Sequence, residues 1–375
     1  MKPTKKVLFV CQYFFPGFRA GGPQQTVKNI IEVYADKADF FILALNRDLG
    51  SNEVYPYESG IWHNYSNVKI MYLPESEYSI STISSAAKDM DIVYACGLFA
   101  NCSIKAMIAK KMNKFSASLY VAPMGVLFKG AFSQKNTKKS LFVRMAKIAG
   151  LFKPVIWSFT SIDEKEAADE LIGRIQKYII AEDLPRKPHT VQRSDKADGV
   201  LRIIFLSRIC VQKNLSMCLD ILNNQWNGKI VFDIYGPIED AEYWPNCQEK
   251  IKQLPMEVEC NYCGNVDPKD ILNVFAKYHV FLFPTLGENF GHVIYEALAA
   301  GCLPIISDQT PWLDLDEKEC GAVIHSDTAS DYVVLIQKYL DMTNAEFERL
   351  SHNAMEYAEE KYSSAVVESD FMVLL

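Results

Sequence analysis

The chain has 375 residues, 49% of them apolar and 23% charged, and a net charge of −7, which is ordinary globular material with room for two domains. No window approaches the roughly 18 uncharged apolar residues a bilayer span requires, and the ten cysteines lack framework spacing. Export, an integral membrane anchor and a disulfide scaffold are therefore not expected, and a reducing cytoplasm is.

From the N-terminus, strand-like runs at 6–12, 40–45, 68–73, 91–95 and 118–122 alternate with helical patterns. That alternation predicts a parallel α/β sheet. A polar stretch rich in chain breakers, 182–199, reads as a linker. A second series then follows at 201–206, 229–235, 257–262, 280–283 and 303–307, so two Rossmann-like domains are expected. Near the end, Thr343-Asn-Ala-Glu346 has the form of a capping box opening a helix that aligns Phe347, Leu350, Ala354 and Tyr357. Residues 363–375 are again compatible with a helix.

Between residues 96 and 153 lie eleven Lys or Arg and no acid. The rest of the chain therefore carries −18, the overall −7 less those eleven charges. Within this segment Lys129, Lys135, Lys138, Lys139, Arg144, Lys147 and Lys153 are interleaved with Phe128, Phe132, Leu141, Phe142, Met145, Ile148, Leu151 and Phe152. An anionic membrane face or a phosphate-bearing acceptor suits this pattern. The other reading is a solvated helix whose apolar stripe packs on its own domain. Nucleic acid is not expected, because no helix-turn-helix pattern or aromatic strand module accompanies the charge.

Several short motifs punctuate the strand ends. The loop after the first strand carries adjacent Gly21 and Gly22, where backbone approaches a ligand closely. Arg208 follows the first strand of the second series and Lys213 lies five residues on, a planar fork and a mobile point charge suited to a diphosphate. The run 284–307 then sets Glu288 and Glu296 eight residues apart across a strand-to-helix turn. Gly291 stands where helix N–H groups open toward an anion. Glu288 reaches hydroxyls on one side of a bound diphosphate and Glu296 those on the other, one carboxylate for a sugar and one for a ribose.

This stretch resembles the Glu-x7-Glu signature of retaining glycosyltransferases of family 4, including the trailing Ala300-Gly-Cys-Leu-Pro304. The resemblance implies a GT-B fold, two Rossmann-like domains with parallel sheets facing across a cleft. The first is 1–185, with a C-terminal helix at 362–375 crossing back to it, and the second is 200–361. By the same resemblance Arg208 and Lys213 stabilise the departing diphosphate and Glu288 acts on the sugar. Gly21, Gly22, Gly236, Val266, Asn289, Phe290, Gly291, His292 and Glu296 would hold the donor. In this family retention is assigned to front-face departure and attack. Met124 occupies the place where relatives present a cation or imidazole toward the sugar, which leaves Lys129 as a compensating side chain or implies a different acceptor. Glu239 to Trp244 and Ser307 to Trp312 resemble a subgroup of surface polysaccharide assembly.

The implied activity is transfer of a hexose from a UDP- or GDP-sugar to a growing, lipid-linked glycan, without metal or other cofactor. Its place is the cytoplasm or, peripherally, the inner face of the plasma membrane. A GT-B nucleotide-sugar epimerase or an inactive glycan-binding subunit is the alternative. Asp89-Met-Asp91 and Asp314-Leu-Asp316 are read as solvated turn acids rather than a metal-holding pair, and Cys260-Asn-Tyr-Cys263 as neither zinc nor redox site. A dinucleotide fingerprint, a P-loop and a nucleophile elbow are missing from the sequence.

Overall fold

The computed structural model describes residues 4–127, 136–325, 328–369, 371 and 375. It divides into two units, 1–184 with 365–375, and 185–364.

In the first unit the sheet comprises β1 (Lys5–Val10), β2 (Ala38–Leu45), β3 (Trp62–Tyr65), β4 (Val68–Leu73), β5 (Ile92–Cys96), β6 (Ser118–Ala122), β7 (Val155–Phe159) and β8 (Tyr178–Ile180). Their order is β3-β4-β2-β1-β5-β6-β7-β8, parallel except where β3 meets β4. Successive residues point to opposite faces, so Val7 and Phe9 enter one core layer and Leu8 and Val10 the other. All four are fully buried, as an inner parallel strand of continuous apolar sequence requires. Phe371 seals one layer by stacking on Phe9 at 6.5 Å and Tyr34 at 5.9 Å.

The second unit holds β9 (Val200–Leu206), β10 (Lys229–Tyr235), β11 (Val258–Gly264), β12 (Val280–Phe283), β13 (Leu303–Ser307) and β14 (Ala322–Ile324). The order β11-β10-β9-β12-β13-β14 is parallel throughout. The chain leaves β9 toward β10 on one side and later returns to β12 on the other. This reversal makes a topological switch point, beyond whose carboxyl ends open α/β sheets receive ligands.

The segment expected to be a linker is largely anchored. Lys196 is buried and donates to the carbonyls of Leu340 (3.0 Å) and Met342 (2.6 Å), at the end of the helix Ala329–Asp341. Arg193 pairs with Glu348 at 3.0 Å. On the first unit's side, Asp183 accepts from Thr26 Oγ1 (3.0 Å) and the Leu184 carbonyl from Asn29 Nδ2 (2.6 Å). Polar composition here supplies anchors rather than slack.

The capping box forms as expected, with Glu346 N–H donating to Thr343 Oγ1 at 3.3 Å and Thr343 N–H to Glu346 Oε2 at 2.9 Å. It opens a single helix, Asn344–Glu368, whose last turn belongs to the first unit.

Within the basic segment the helix Asn136–Ile148 buries Val143 and Ala146 but leaves Leu141, Met145 and Ile148 59%, 61% and 81% exposed. Its apolar residues thus form two stripes, of which only one packs on the domain. Phe128, Lys129, Phe132 and Lys135 lie outside the described residues. Among the described residues no helix is long and apolar enough to cross a membrane.

Candidate active site

Past the carboxyl end of β9, Arg208 lies on an extended turn held by two parallel-type bonds, Ser207 N–H to Tyr235 O (3.1 Å) and Ile209 N–H to Pro237 O (2.8 Å). The close approach explains Gly236, since a Cβ there would stand 1.9 Å from the Ser207 carbonyl oxygen. Its φ of 131° likewise favours glycine. Gly236 is thereby required by the backbone that carries Arg208. The Arg208 guanidinium pairs with Glu239 at 2.5 Å, and both side chains keep over a third of their exposure.

Lys213 ends the 3-10 turn Val211–Lys213. The loop after β12 docks on this turn: Leu286 N–H donates to Gln212 O (2.9 Å), Gln212 Nε2 to Gly287 O (3.2 Å) and Asn214 Nδ2 to Pro284 O (2.9 Å). These bonds bring Lys213 Nζ onto Glu288 Oε1 in a largely buried ion pair, with the Phe283 ring 5.7 Å below the ammonium. The cation from β9 and the carboxylate from β12 therefore meet at the switch point.

Gly291 caps the helix His292–Ala299 with φ 78°, and no side chain bonds that cap. An added Cβ would press on Ile294 Cδ1 at 2.9 Å. The approach is fixed by Trp312, whose Nε1 donates to the Phe290 carbonyl at 2.5 Å while its ring meets the Phe290 ring at 5.5 Å. Asn289 is half-buried beside them. His292 contacts the Phe290 ring at 4.8 Å. Desolvation, with the Arg186 charge adding to it, pushes its imidazole down to about 3, so it is neutral at ordinary pH. One turn further, Glu296 is buried against Arg186 at 3.4 Å. Arg186 also donates to the Pro268 carbonyl at 2.9 Å, on the loop that carries half-buried Val266. Beside that loop the Gly236 N–H donates to the Gly264 carbonyl at 2.8 Å.

In the first unit the loop after β1 is clamped by a residue the sequence did not flag. Asp48, nearly buried, accepts from the N–H groups of Phe18 (2.9 Å), Arg19 (3.1 Å) and Leu49 (2.8 Å). Gly21 then takes φ 68° as the helix cap, with open space where a Cβ would stand, and Gly22 is the first helical residue. Met124, after β6, adopts φ 59° next to Gly125 at 77°. The Gly125 N–H donates to Glu164 at 2.5 Å, and Thr160 gives the same carboxylate two more bonds. Burial still raises the Glu164 carboxyl above its usual range. Lys129 lies outside the described residues.

Asp314 and Asp316 both lie on turns, Asp316 exposed as expected of a solvated acid and Asp314 half-buried. Asp314 accepts from the Tyr357 hydroxyl at 2.5 Å and Asp316 from the Val323 N–H at 2.8 Å, so both brace the end of the second unit.

Residues 187–361 match the family model of glycosyl transferases group 1. The second unit is a glycosyl transferases group 1 domain. Arg208, Lys213, Glu288 and Glu296 all fall inside the matched span of this domain. Across 94% of this chain and 92% of its own length, the GDP-mannose:cellobiosyl-diphosphopolyprenol alpha-mannosyltransferase of Xanthomonas campestris is 21% identical. Anabaena Alr3699/HepE, solved in complex with UDP and glucose, superposes with a TM-score of 0.71 at 14% identity, covering 99% of this chain and 98% of that one. Sucrose-phosphate synthase from Thermosynechococcus elongatus gives 0.72 at 13% identity, covering 97% of each chain. The fold is GT-B, the group 1 domain forming its second half.

Proposed function

We propose that this protein is a glycosyltransferase that moves a hexose from a UDP- or GDP-sugar to a lipid-linked glycan, with retention and without a metal. The observation that carries the reading is the convergence of Lys213 and Glu288 at the switch point of the second sheet, flanked by Arg208 and by the Gly291-capped helix with Glu296. Breaking the anomeric bond places negative charge on the leaving diphosphate. Arg208 and Lys213 answer that charge, and preorganised donors of this kind supply much of the stabilisation of such transition states. Each cation already holds a carboxylate, Glu239 and Glu288 respectively, so the diphosphate enters by exchanging with anionic partners. Glu288 is then released to sugar hydroxyls and Glu296 accepts from the ribose.

The Xanthomonas relative is named for GDP-mannose and a cellobiosyl-diphosphopolyprenol, and the Anabaena neighbour was solved with UDP and glucose, which supports the donor and acceptor classes. The polysaccharide is proposed to be a surface one, capsular or lipopolysaccharide. The exposed stripe of the helix Asn136–Ile148 supports peripheral contact with an anionic membrane at the inner face of the plasma membrane. Thermal shift with a panel of UDP- and GDP-sugars tests the donor, since a ligand of the native state raises its stability by mass action. The expected sequel is release of UDP or GDP only when a lipid-linked glycan is added, unchanged by EDTA. Interconversion of the sugar without acceptor would instead show an epimerase, and binding without turnover a glycan-recognition subunit.

A further inference from the structure

We infer that Arg186 is a positioning residue for the donor site, holding the Glu296 carboxylate in the orientation in which it accepts the ribose hydroxyls. This rests on the donor reading above. Arg186 lies one residue before the span matched by the group 1 family model and two residues past the boundary of the first unit. Its side chain is only 10% exposed and that of Glu296 7%. A single guanidinium nitrogen, Nη1, stands 3.4 Å from Glu296 Oε1 and 2.9 Å from the Pro268 carbonyl oxygen. One planar group thus ties the site helix to the loop after β11, the two elements that would receive ribose and base. Arg186 is also close enough for its charge to act on His292 at the head of the same helix.

Burial makes the pair consequential. A carboxylate withdrawn from water is strongly disfavoured without a counter-ion, and its side chain then rotates or takes up a proton. Either response removes the ionised acceptor that a ribose diol needs. With Arg186 in place the charge is kept and one carboxylate oxygen is fixed. Both acceptors are met by the one nitrogen, so a lysine ammonium, with three donors on a shorter side chain, keeps the charge and part of this bridging.

Calorimetric titration with UDP and GDP, each against wild type, Arg186→Met, Arg186→Lys, Glu296→Gln and the double variant Arg186→Met/Glu296→Gln, tests the inference. The expected result is that Arg186→Met weakens the preferred nucleotide by about ten- to hundred-fold, by analogy with the loss on removing groups that orient metal-ligating side chains. Arg186→Lys should recover part of the loss. The double variant should bind no more weakly than the worse single variant, because Arg186 acts through Glu296 and neighbours in one network are not additive. Should Arg186→Met fail to fold, Arg186→Lys compared in the wild-type and Glu296→Gln backgrounds reads the same coupling. The Gln background needs no counter-ion, so loss in the first background and none in the second supports the inference. Binding by Arg186→Met within two-fold of wild type would overturn it. So would losses that simply multiply in the double variant, since Arg186 would then act independently of Glu296. A wild type that binds neither nucleotide would remove the donor reading itself.

Discussion

Lys213 and Glu288 differ from Arg208 and Glu239 in how much water each pair retains, and that difference decides what a substitution reports. The Arg208–Glu239 pair keeps 36% and 42% exposure, and exposed pairs of this kind contribute about 0–1 kcal/mol. Arg208→Ala should therefore leave the denaturation midpoint nearly unchanged while lowering turnover about 10²–10³-fold, the usual loss for one charge-stabilising donor. Lys213→Ala should lower turnover similarly, yet also destabilise the fold. Its pair with Glu288 is 9% and 14% exposed, and removing one partner of a buried pair costs about 3–5 kcal/mol when burial is complete. Adding Glu288→Gln should return most of that stability without returning turnover. Steady-state rates at saturating donor alongside urea midpoints separate the two effects, and normal turnover in either single variant would remove that cation from the chemistry. Arg208, Lys213 and Glu288 were picked out in the sequence because each follows a readable strand end, and Glu296 because of its eight-residue spacing from Glu288. Arg186, Asp48, Glu164 and the pairing of Glu239 with Arg208 were not, since no motif marks these contacts and only the fold brings the partners together. Arg186 in addition sits in a breaker-rich stretch whose composition argues for slack.

At the level of elements, the inner strands could be read almost to the residue, because β9, β10, β12 and β13 are apolar runs buried on both faces. The strands missed have physical reasons. Trp62–Tyr65 is a half-exposed antiparallel edge with a polar centre, Tyr178–Ile180 and Ala322–Ile324 are three residues each, and Val155–Phe159 hides behind the Phe152-Lys-Pro154 tail of the basic segment. His279 shows what pattern cannot reveal. Just before β12, it accepts the Arg202 N–H at Nδ1 (3.0 Å) and donates its own backbone N–H to the Arg202 carbonyl (2.8 Å), stitching β9 to β12 at the end of the strands away from the site. Burial foremost, with the charges of Lys196, Arg202 and Arg193, pushes the imidazole down to about 4 from an ordinary 6.5. The depressed value means that the unfolded chain binds the proton first as pH falls. This contribution is thus complete above pH 6.5 and is lost between 6.5 and 4, at up to about 1.4 kcal/mol per pH unit and about 3 kcal/mol in all. His292 shifts in the same direction and adds to the loss. His279→Asn keeps an acceptor without a titrating ring, so its urea midpoint should fall less steeply than that of wild type between pH 6.5 and 4.5. Parallel curves would show that His279 does not carry the dependence.

For the whole molecule the governing asymmetry is electrostatic: eleven cations and no acid between residues 96 and 153, against −18 elsewhere. The structure adds a hydrophobic component to that charge. Leu141, Met145 and Ile148 recur at i, i+4 and i+7, one face of the helix Asn136–Ile148, and all are exposed. Lys138, Arg144 and Lys147 stand exposed along the same helix, whereas the Lys139 ammonium lies over the Phe99 ring at 5.6 Å. An apolar stripe flanked by cations matches the boundary of an anionic bilayer, where each cation near the surface contributes about 1 kcal/mol. Changing Lys138, Arg144 and Lys147 to Gln should cost roughly 3 kcal/mol of binding to phosphatidylglycerol vesicles, and raised salt should mimic the change. Changing Leu141, Met145 and Ile148 to Ser should weaken binding by a comparable amount that salt does not mimic, because the lost term is apolar burial of about 25 cal/mol per Å². Co-sedimentation with phosphatidylglycerol-containing and neutral vesicles measures both. Equal recovery of wild type and both triple variants in the supernatant, whatever the lipid, would leave the segment as a solvated face and place acceptor capture elsewhere on the molecule.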